Sequence, residues 1–445
     1  MNPRHLANSI CDTLQQHGYQ AFLVGGCVRD LLLGREPADY DVTTDATPDR
    51  VLQLFPDSIA VGARFGVILV PRDSIKVEVA TFRRDLGYSD GRHPDEVVYG
   101  SKPEDDVSRR DFTINGLLMR HKSGQVLDFV GGQADIAARI VRAIGDPDRR
   151  FAEDKLRMLR AVRFAARFDY RIEPATLAAI QKGAPEIHAI SAERIHEELT
   201  KLLTEGAARR GFELLESSGL LQKVLPEVSA MKGVPQPPEY HPEGDVWIHT
   251  LMMLERLPPG VSPTLAWGVL LHDAGKPPTF RPASETGDRI RFDSHVEVGV
   301  RIAGEICRRL KLSSDDTRQV QALVANHMKF KDVSQMRKST LKRFVRLPAF
   351  EEHLELHRLD CQASHGRLDA YDAIRAFLDE TPPDQVRPAR LLTGDDLHEM
   401  GYAPGPAFQR ILGALEEGQL EGNLLTREQA IEFVRRHYPL NQVSR

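Results

Sequence analysis

The chain lacks any apolar run near the ~20 residues that a bilayer-spanning helix requires. Its start, Met1-Asn2-Pro3-Arg4-His5, lacks the apolar segment of a secretory signal. Both absences predict a cytoplasmic protein that does not engage a membrane. Cysteine is scarce: Cys11, Cys27, Cys307 and Cys361 are scattered with no paired metal spacing. That excludes a disulfide scaffold and fits unpaired thiols in a reducing compartment. Positive charge is not in excess either, since 59 Lys+Arg stand against 64 Asp+Glu for a formal net charge of −5. A protein that coats nucleic acid nonspecifically is thereby disfavoured, but not one that grips a backbone with local basic surfaces. There is no internal repeat and no low-complexity tract.

What the chain has is length and apolar content. Its 445 residues, 41% hydrophobic, suffice for about three units at ~150 residues each. The first third mixes helix and strand signals. Residues 5–17 read as an amphipathic helix closed by Gly18, and Thr47-Pro48 opens another helix. Ala21-Phe22-Leu23-Val24, residues 40–43, 67–70 and 76–81 read as short strands, the last two paired around Pro71-Arg72-Asp73. Beyond about Gly132 the strand signals disappear, and residues 151–168, 173–182, 191–204 and 207–218 read as helices. Gly233-Val234-Pro235-Gln236-Pro237-Pro238 is the clearest linker. A further helical stretch runs to about residue 380, where Thr381-Pro382-Pro383 sets off a short helical tail. Basic residues crowd two stretches: Arg139, Arg142, Arg149, Arg150, Arg157, Arg160, Arg163 and Arg167 in one, and Arg337, Lys338, Lys342, Arg343 and Arg346 in the other.

Gly25-Gly26 stands between a strand and a helix beginning near Val28. Glycines there let the backbone approach phosphate, and the helix N-terminus offers free N–H donors. Arg29 adds a charged fork. Alone, such a pair is more often a plain tight turn. Asp39-Tyr40-Asp41 follows, and residues i and i+2 of a strand share a face. Two carboxylates so placed repel each other unless a cation lies between them, and Mg²⁺ takes one or two carboxylates plus substrate phosphates. In isolation the pair reads as a solvated polar loop. Glycine turn, helix and carboxylate strand in that order, however, is the arrangement that a compact nucleotidyl-transfer site requires. Glu78, on a later strand, is a third carboxylate or a supporting residue.

These residues carry a resemblance. The run Leu23-Val24-Gly25-Gly26-Cys27-Val28-Arg29-Asp30-Leu31-Leu32-Leu33-Gly34, followed by Asp39-Tyr40-Asp41-Val42-Thr43-Thr44, resembles the signature of bacterial class II tRNA nucleotidyltransferases. These are the CCA-adding enzymes and their poly(A) polymerase relatives, within the polymerase-β-like superfamily. Arg109-Arg110-Asp111-Phe112-Thr113-Ile114-Asn115 resembles the family's next motif, and Glu153-Asp154-Lys155-Leu156-Arg157 the one after, in family order. The resemblance covers roughly residues 20–170. It implies Mg²⁺ at Asp39 and Asp41 and nucleotide binding at Gly25, Gly26, Arg29, Arg110, Arg160 and Arg163. It also implies a protein template for CTP and ATP at Asp154 and Arg157. Residues 171–235 match the family's RNA-binding body region.

The neck helix can also be read without the family. At helical spacing Leu156, Leu159, Val162 and Ala166 share one arc, and Asp154, Arg157 and Arg160 another. Such a charged face is commonly a solvated one laced with ion pairs. It could equally hydrogen-bond a base, Asp accepting from an exocyclic amine and Arg donating to a ring acceptor. The polar segment Arg83-Arg84-Asp85-Leu86-Gly87-Tyr88-Ser89-Asp90-Gly91-Arg92-His93-Pro94 is a long hairpin connection or the counterpart of the family's flexible loop. The segment Val61-Gly62-Ala63-Arg64-Phe65-Gly66-Val67-Ile68 looks more like the CCA-adding type than the polymerase type.

A second constellation lies in the helical half. His249, His272-Asp273, His295, His327 and Asp360 offer imidazole and carboxylate ligands for divalent metals. In this order they resemble the HD phosphohydrolase superfamily, as does Leu271-His272-Asp273-Ala274-Gly275-Lys276. The resemblance implies a metal core at His249, His272, Asp273 and Asp360, with His295 and His327 at positions used for a second metal. The ion would be Mg, Mn, Ni or Fe, and the activity phosphatase or phosphodiesterase towards phosphate-terminated RNA ends. A degenerate domain kept for structure or RNA contact is the alternative.

The expected fold is α+β: a polymerase-β-like nucleotidyltransferase head with a small mixed sheet, then all-helical neck, body and HD domains. The expected boundaries are 1–132 for the head, 133–190 for the neck, 191–238 for the body, 239–380 for the HD domain and 381–445 for the tail. Expected partners are the tRNA 3′ end, CTP and ATP, with neither DNA nor membrane. A poly(A) polymerase, a CC-only or A-only enzyme, and an HD phosphohydrolase with a regulatory head are the competing readings.

Overall fold

The computed structural model describes residues 2–62, 66–87 and 95–440. Residues 88–94 of the polar loop and 63–65 of the segment spanning 61–68 lie outside the described residues, so neither reading of those stretches is tested. The chain forms two compact units. The first comprises Met1–Ala230, Leu257–Ala266 and Ile306–Leu312; the second comprises Met231–Arg256, Trp267–Glu305 and Ser313–Arg445.

The first unit opens with helix Pro3–Gln16, started by Asn2, whose side chain accepts the His5 amide at 2.8 Å, with proline in the first turn. Its stripe Leu6, Ile10 and Leu14 recurs every four residues and is fully buried. The strands are β1 (Ala21–Val24), β2 (Asp41–Thr44), β3 (Ile59–Gly62), β4 (Val67–Arg72), β5 (Ile75–Thr81), β6 (Arg83–Leu86), β7 (Glu96–Tyr99), β8 (Leu117–Met119) and β9 (Val126–Asp128). Seven of them form one mixed sheet in the order β3-β4-β5-β2-β1-β8-β9, while β6 and β7 pair as a separate hairpin. β2 runs parallel to β5 and antiparallel to β1.

Both faces of the sheet centre are covered, so all four residues of β1 are buried and it reads as a continuous apolar run. Ala21, Leu23, Val42, Val77 and Val79 pack under the first helix; Phe22 and Val24 join Phe82, Val107 and Leu118 on the other side. The register sets Val24 opposite Asp41 and Asp41 opposite Glu78. Since Val42 takes the core face, Asp41 points to the other one, at the strand end.

Helices Pro147–Glu153, Leu156–Phe168, Pro174–Gly183, Ala192–Thr204 and Ala208–Ser217 follow. The sequence pattern predicted one helix over 151–168; the structure breaks it at Asp154, which is extended at φ −151° and ψ 106°. The Asp154 carboxylate accepts the Leu156 amide at 3.0 Å and its carbonyl the Arg157 amide at 3.1 Å. An aspartate that can cap a new helix competes with continuing the old one. Two strand pieces too short to leave a pattern, Ile140–Val141 and Arg171–Ile172, pair in parallel in the stretch that showed no strand signal.

Among its described residues the second unit has helices and one isolated bridge, Arg281–Arg291, but no strand. One core cluster gathers Phe330, Phe344, Phe350, Leu354 and Ile374; another, within residues 391–438, gathers Leu397, Tyr402, Ile411, Leu415 and Val434. The tail thus carries a core of its own.

Candidate nucleotidyl-transfer site and candidate metal centre

In the first unit the turn between β1 and helix Gly26–Leu32 is made by Gly25 at φ +77°, a left-handed conformation that favours glycine. A Cβ there would also meet Arg110 Nη1 at 3.2 Å. Arg110 is held beside the turn by Asp106, which is fully buried and accepts from Arg110 at 3.0 Å and Arg109 at 2.6 Å. Arg29, in the first turn of the helix, is 4% exposed. It donates to Asp30 and, at 2.5 Å, to the Asn115 side-chain oxygen, and it lies 4.4 Å over the Phe168 ring. Asn115 in turn donates to Asp111 at 3.1 Å, and Asp111 receives Arg160 at 2.8 Å. Arg110 and Arg29 on the turn side are thereby tied to Arg160 on helix Leu156–Phe168 through the segment 106–115.

Asp39 is exposed just ahead of β2, with buried Tyr40 between it and half-buried Asp41. Burial pushes the Asp41 carboxyl up to about 6; Glu78 and Asp39 add repulsion that Arg110 only partly offsets. Carboxylates gathered around half-buried Asp41 are a repulsive set that a divalent cation would relieve, so the donor chemistry fits such an ion. Asp111 behaves oppositely. Burial would raise it, but Arg160, Asn115 and Arg157 outweigh burial and hold it at about 2.

The base-reading candidates are not all together. Arg157 donates to Glu153 at 2.9 Å and to the carbonyls of Arg150 and Arg109. Asp154 sits at the break, bridged by Arg194 at 3.2 and 2.7 Å. Arg163 is 6% exposed, with its guanidinium on Glu198 at 2.7 Å and Glu205 at 3.3 Å. Arg194 escaped the sequence reading, because a partner forty residues away leaves no local signal.

The second unit brings the six metal-ligand candidates into one cluster. His249 comes from helix Val246–Glu255, and His272 and Asp273 follow helix Pro263–Leu271. His295 opens helix His295–Arg309, His327 opens the 3₁₀ helix His327–Gln335, and Asp360 lies in helix Phe350–Ala363. Potential ligand atoms of His249, His272 and Asp360, and likewise of Asp273, His295 and His327, lie within 4.8 Å of one another. His272, His295 and His327 each place Nδ1 on a carbonyl three residues back, at 2.9, 3.0 and 2.7 Å. That bond makes Nδ1 the donor and leaves Nε2 with its lone pair towards the cluster. The Nε2 atoms of His249, His272, His295 and His327 are all buried; those of His249 and His272 lie 3.2 and 3.1 Å from carboxylate oxygens of Asp360 and Asp273, and those of His295 and His327 have no hydrogen-bond partner. Orphaned acceptors converging on one point fit a transition metal. Burial and His272 keep the His327 imidazole down at about 4, so it stays neutral and able to ligate.

One supporting group, Glu243, lay outside the sequence reading. Glu243 accepts from His249 Nδ1 at 2.6 Å and His241 Nδ1 at 2.9 Å. Lys276, already within the Leu271–Lys276 motif, reaches Asp273 at 2.8 Å and Gln236 at 2.6 Å, so the linker glutamine is packed rather than free. Gly275 has a spatial reason: a Cβ would sit 1.9 Å from the His295 carbonyl oxygen. Only glycine lets the helix bearing His295 come this near. The cluster opens into a cavity of about 590 Å³, with Lys276, Arg289, Arg291 and Lys331 among its lining residues.

A glycine turn, a carboxylate pair at the entry to a central strand and arginines from a later segment define a metal-dependent nucleotidyltransferase head, and a separate unit carries an HD-type centre. Comparison with known families agrees. The Poly A polymerase head domain matches residues 21–142, the "Probable RNA and SrmB- binding site of polymerase A" 169–232, and the HD domain 245–360. The CCA-adding enzyme of Levilactobacillus brevis is 32% identical over 430 residues, 96% of each chain. That of a Geobacillus species is 44% identical over 218 residues, so this chain spans only about half, 54%, of that relative. The crystal structure of the Bacillus stearothermophilus CCA-adding enzyme in complex with CTP superposes with a TM-score of 0.73 at 26% identity, covering 98% of this chain and 99% of that one. The Thermotoga maritima CCA-adding enzyme complexed with tRNA_CCA shares the fold, with a TM-score of 0.59 at 18% identity over 98% of this chain and 96% of that one. The chain belongs to the CCA-adding enzyme family, nucleotidyltransferases that use divalent metal.

Proposed function

We propose that this chain adds C, C and A to the 3′ end of tRNA from CTP and ATP, without a nucleic-acid template. The observation that carries it is likeness to CCA-adding enzymes along nearly the whole chain, together with a head site whose carboxylates, arginines and glycine turn suit nucleotidyl transfer. Gly25, Gly26, Arg29 and Arg110 would cradle the triphosphate at the helix N-terminus. Asp39 and Asp41 would hold Mg²⁺, which supplies charge neutralisation and a more acidic 3′ hydroxyl for in-line attack on the α-phosphate. Asp154 and Arg157 would select the base, and Arg160 would fix Asp111. The setting is cytoplasmic, in keeping with the absence among the described residues of any helix long and apolar enough to cross a membrane.

The second unit would hydrolyse phosphate esters at RNA ends. His249, His272, Asp273 and Asp360 would hold one divalent ion there, and His295 and His327 would help hold a second. Such ions lower the pKa of bound water and polarise the phosphoryl group. Lys276, Arg289, Arg291 and Lys331 would draw the anionic end into the cavity.

The test is incorporation into tRNA lacking its 3′ end, with CTP alone, ATP alone, and both. Two cytidines with CTP and a single terminal adenosine only when both are present is the expected result. Long adenylate tails without cytidine incorporation would refute CCA addition.

A further inference from the structure

Helix Ala192–Thr204 faces helix Leu156–Phe168 through a row of ion pairs. Glu198 takes Arg163 at 2.7 Å and approaches Arg160 at 3.9 Å, and Glu205, just past the helix end, takes Arg163 at 3.3 Å and Arg167 at 3.4 Å. The polarity reverses at one rung. Arg194 supplies the cation, and the acid is Asp154, at the break between the two neck helices. A structural zipper would be served by another arginine–glutamate rung of the same sense. The reversal puts a planar fork on the one carboxylate assigned to the base.

We propose that Arg194 is a positioning residue for base selection, one that fixes the Asp154 carboxylate so that a single acceptor position remains for the nucleobase. The reasoning rests on the reading of Asp154 as the base-contacting acid. A carboxylate has about four acceptor positions, two per oxygen. Asp154 Oδ1 takes the Leu156 amide at 3.0 Å and Arg194 Nη1 at 3.2 Å, which fills it. Oδ2 takes Arg194 Nη2 at 2.7 Å and has one position left. Cytosine and adenine each bring an exocyclic amine N–H to such a position, whereas uracil and guanine bring a carbonyl oxygen. Facing a fixed, negatively charged acceptor, the amine gains a charge-assisted bond and the carbonyl meets repulsion. A carboxylate free to rotate would instead turn another edge to the base and lose much of that contrast. Arg194 lies inside the segment 169–232 that matches the RNA-binding family. The residue that aims the base reader therefore lies in the part of the chain that resembles an RNA-binding region.

The experiment measures kcat and KM for CTP, ATP, UTP and GTP on tRNA lacking its 3′ end, with full-length wild type, Arg194→Ala, Arg194→Lys, Asp154→Ala and the Arg194→Ala/Asp154→Ala pair. In Arg194→Ala the CTP-over-UTP ratio of kcat/KM should fall about tenfold, within the range for members of one hydrogen-bond network. The loss should appear mainly as a raised KM for CTP and ATP. Arg194→Lys should recover part of the ratio, since lysine restores charge but not the planar fork. The double variant should be no less selective than Asp154→Ala alone. An unchanged ratio in a folded Arg194→Ala, alongside a collapsed ratio in Asp154→Ala, overturns the role of Arg194 while leaving the base reader in place. If Asp154→Ala itself keeps its selectivity, the underlying reading of Asp154 falls. Should Arg194→Ala not fold, Arg194→Lys decides: wild-type selectivity overturns the proposal, and a reduced ratio supports it.

Discussion

In the head, Asp39 is exposed and Asp41 is half-buried at the end of a four-residue strand, where its charge is opposed by Glu78. In the helical unit, His272, Asp273 and His327 are 1%, 1% and 3% exposed, and three histidines are already oriented by backbone carbonyls. The head presents few candidate ligands and would leave the rest of a cation's coordination to substrate phosphates and water, as Mg²⁺ prefers. The helical unit presents a nearly complete, pre-oriented shell of imidazole and carboxylate, which suits a more tightly held ion. On the proposed reading, the head site would be finished by its substrate and the helical one by its own fold.

The comparison breaks most sharply at Asp41. Asp41→Asn should lower CTP incorporation by about 10³-fold or more, because charge stabilisation of the transferring phosphate depends on it. The metal content of the purified protein, read by elemental analysis, should stay at the wild-type level. Loss of that metal as well would mean that the two sites are not independent. Gly275→Ala probes the other side. A methyl group 1.9 Å from the His295 carbonyl oxygen must push the helix bearing His295 away. The variant should lose its retained metal and any phosphoesterase activity, with CTP incorporation changed by no more than about twofold, the effect expected when the altered residue shares no partner with the head site. Full metal retention would show that the close approach is not needed.

The smallest effect concerns stability. The Asp41 pKa of about 6 lies above the ordinary 3.8, so the ionised group destabilises the fold. The penalty is absent below about pH 4, grows as the pH rises, and is complete above about pH 6. With divalent cations chelated, Asp41→Asn should therefore be more stable than wild type by up to about 3 kcal/mol at pH 7.5 and equal to it near pH 4. Denaturant titrations at the two pH values measure this. Identical differences at both would remove the electrostatic strain from the account, and added Mg²⁺ should shrink the gap at the higher pH by stabilising only the wild type.

Much of the head was legible because its information is local. A glycine turn, a helix and an alternating strand write themselves into consecutive residues, so Gly25, Asp39 and Asp41 could be singled out and β1, β4 and β5 placed. The charged clusters were less legible. Arg150, Arg157, Arg160, Arg163 and Arg167 read as a basic stretch, yet each pairs with Glu153, Asp111, Glu198 or Glu205. Likewise Arg343 and Arg346 meet Glu417 and Glu416. Glu153 is local to Arg150 and Arg157, but the carboxylates that neutralise the other arginines come from distant segments and are invisible to a window on the chain. The break at Asp154 was missed because the helical periodicity continues across it, and only the capping competition reveals it.

The sequence by itself determined the order of parts, a mixed α+β head before helical modules, and the ligand types at both sites, because periodicity and residue chemistry are properties of neighbours along the chain. The tertiary structure alone decided that Glu78 faces Asp41, that Glu243 supports His249, and that Arg194 grips Asp154. Glu78 and Arg194 reach their partners from segments about forty residues away, while Glu243 reaches across only six residues by way of a loop turn. All three depend on strand register or helix packing, and it is at such contacts that charge is either neutralised or left waiting for a ligand.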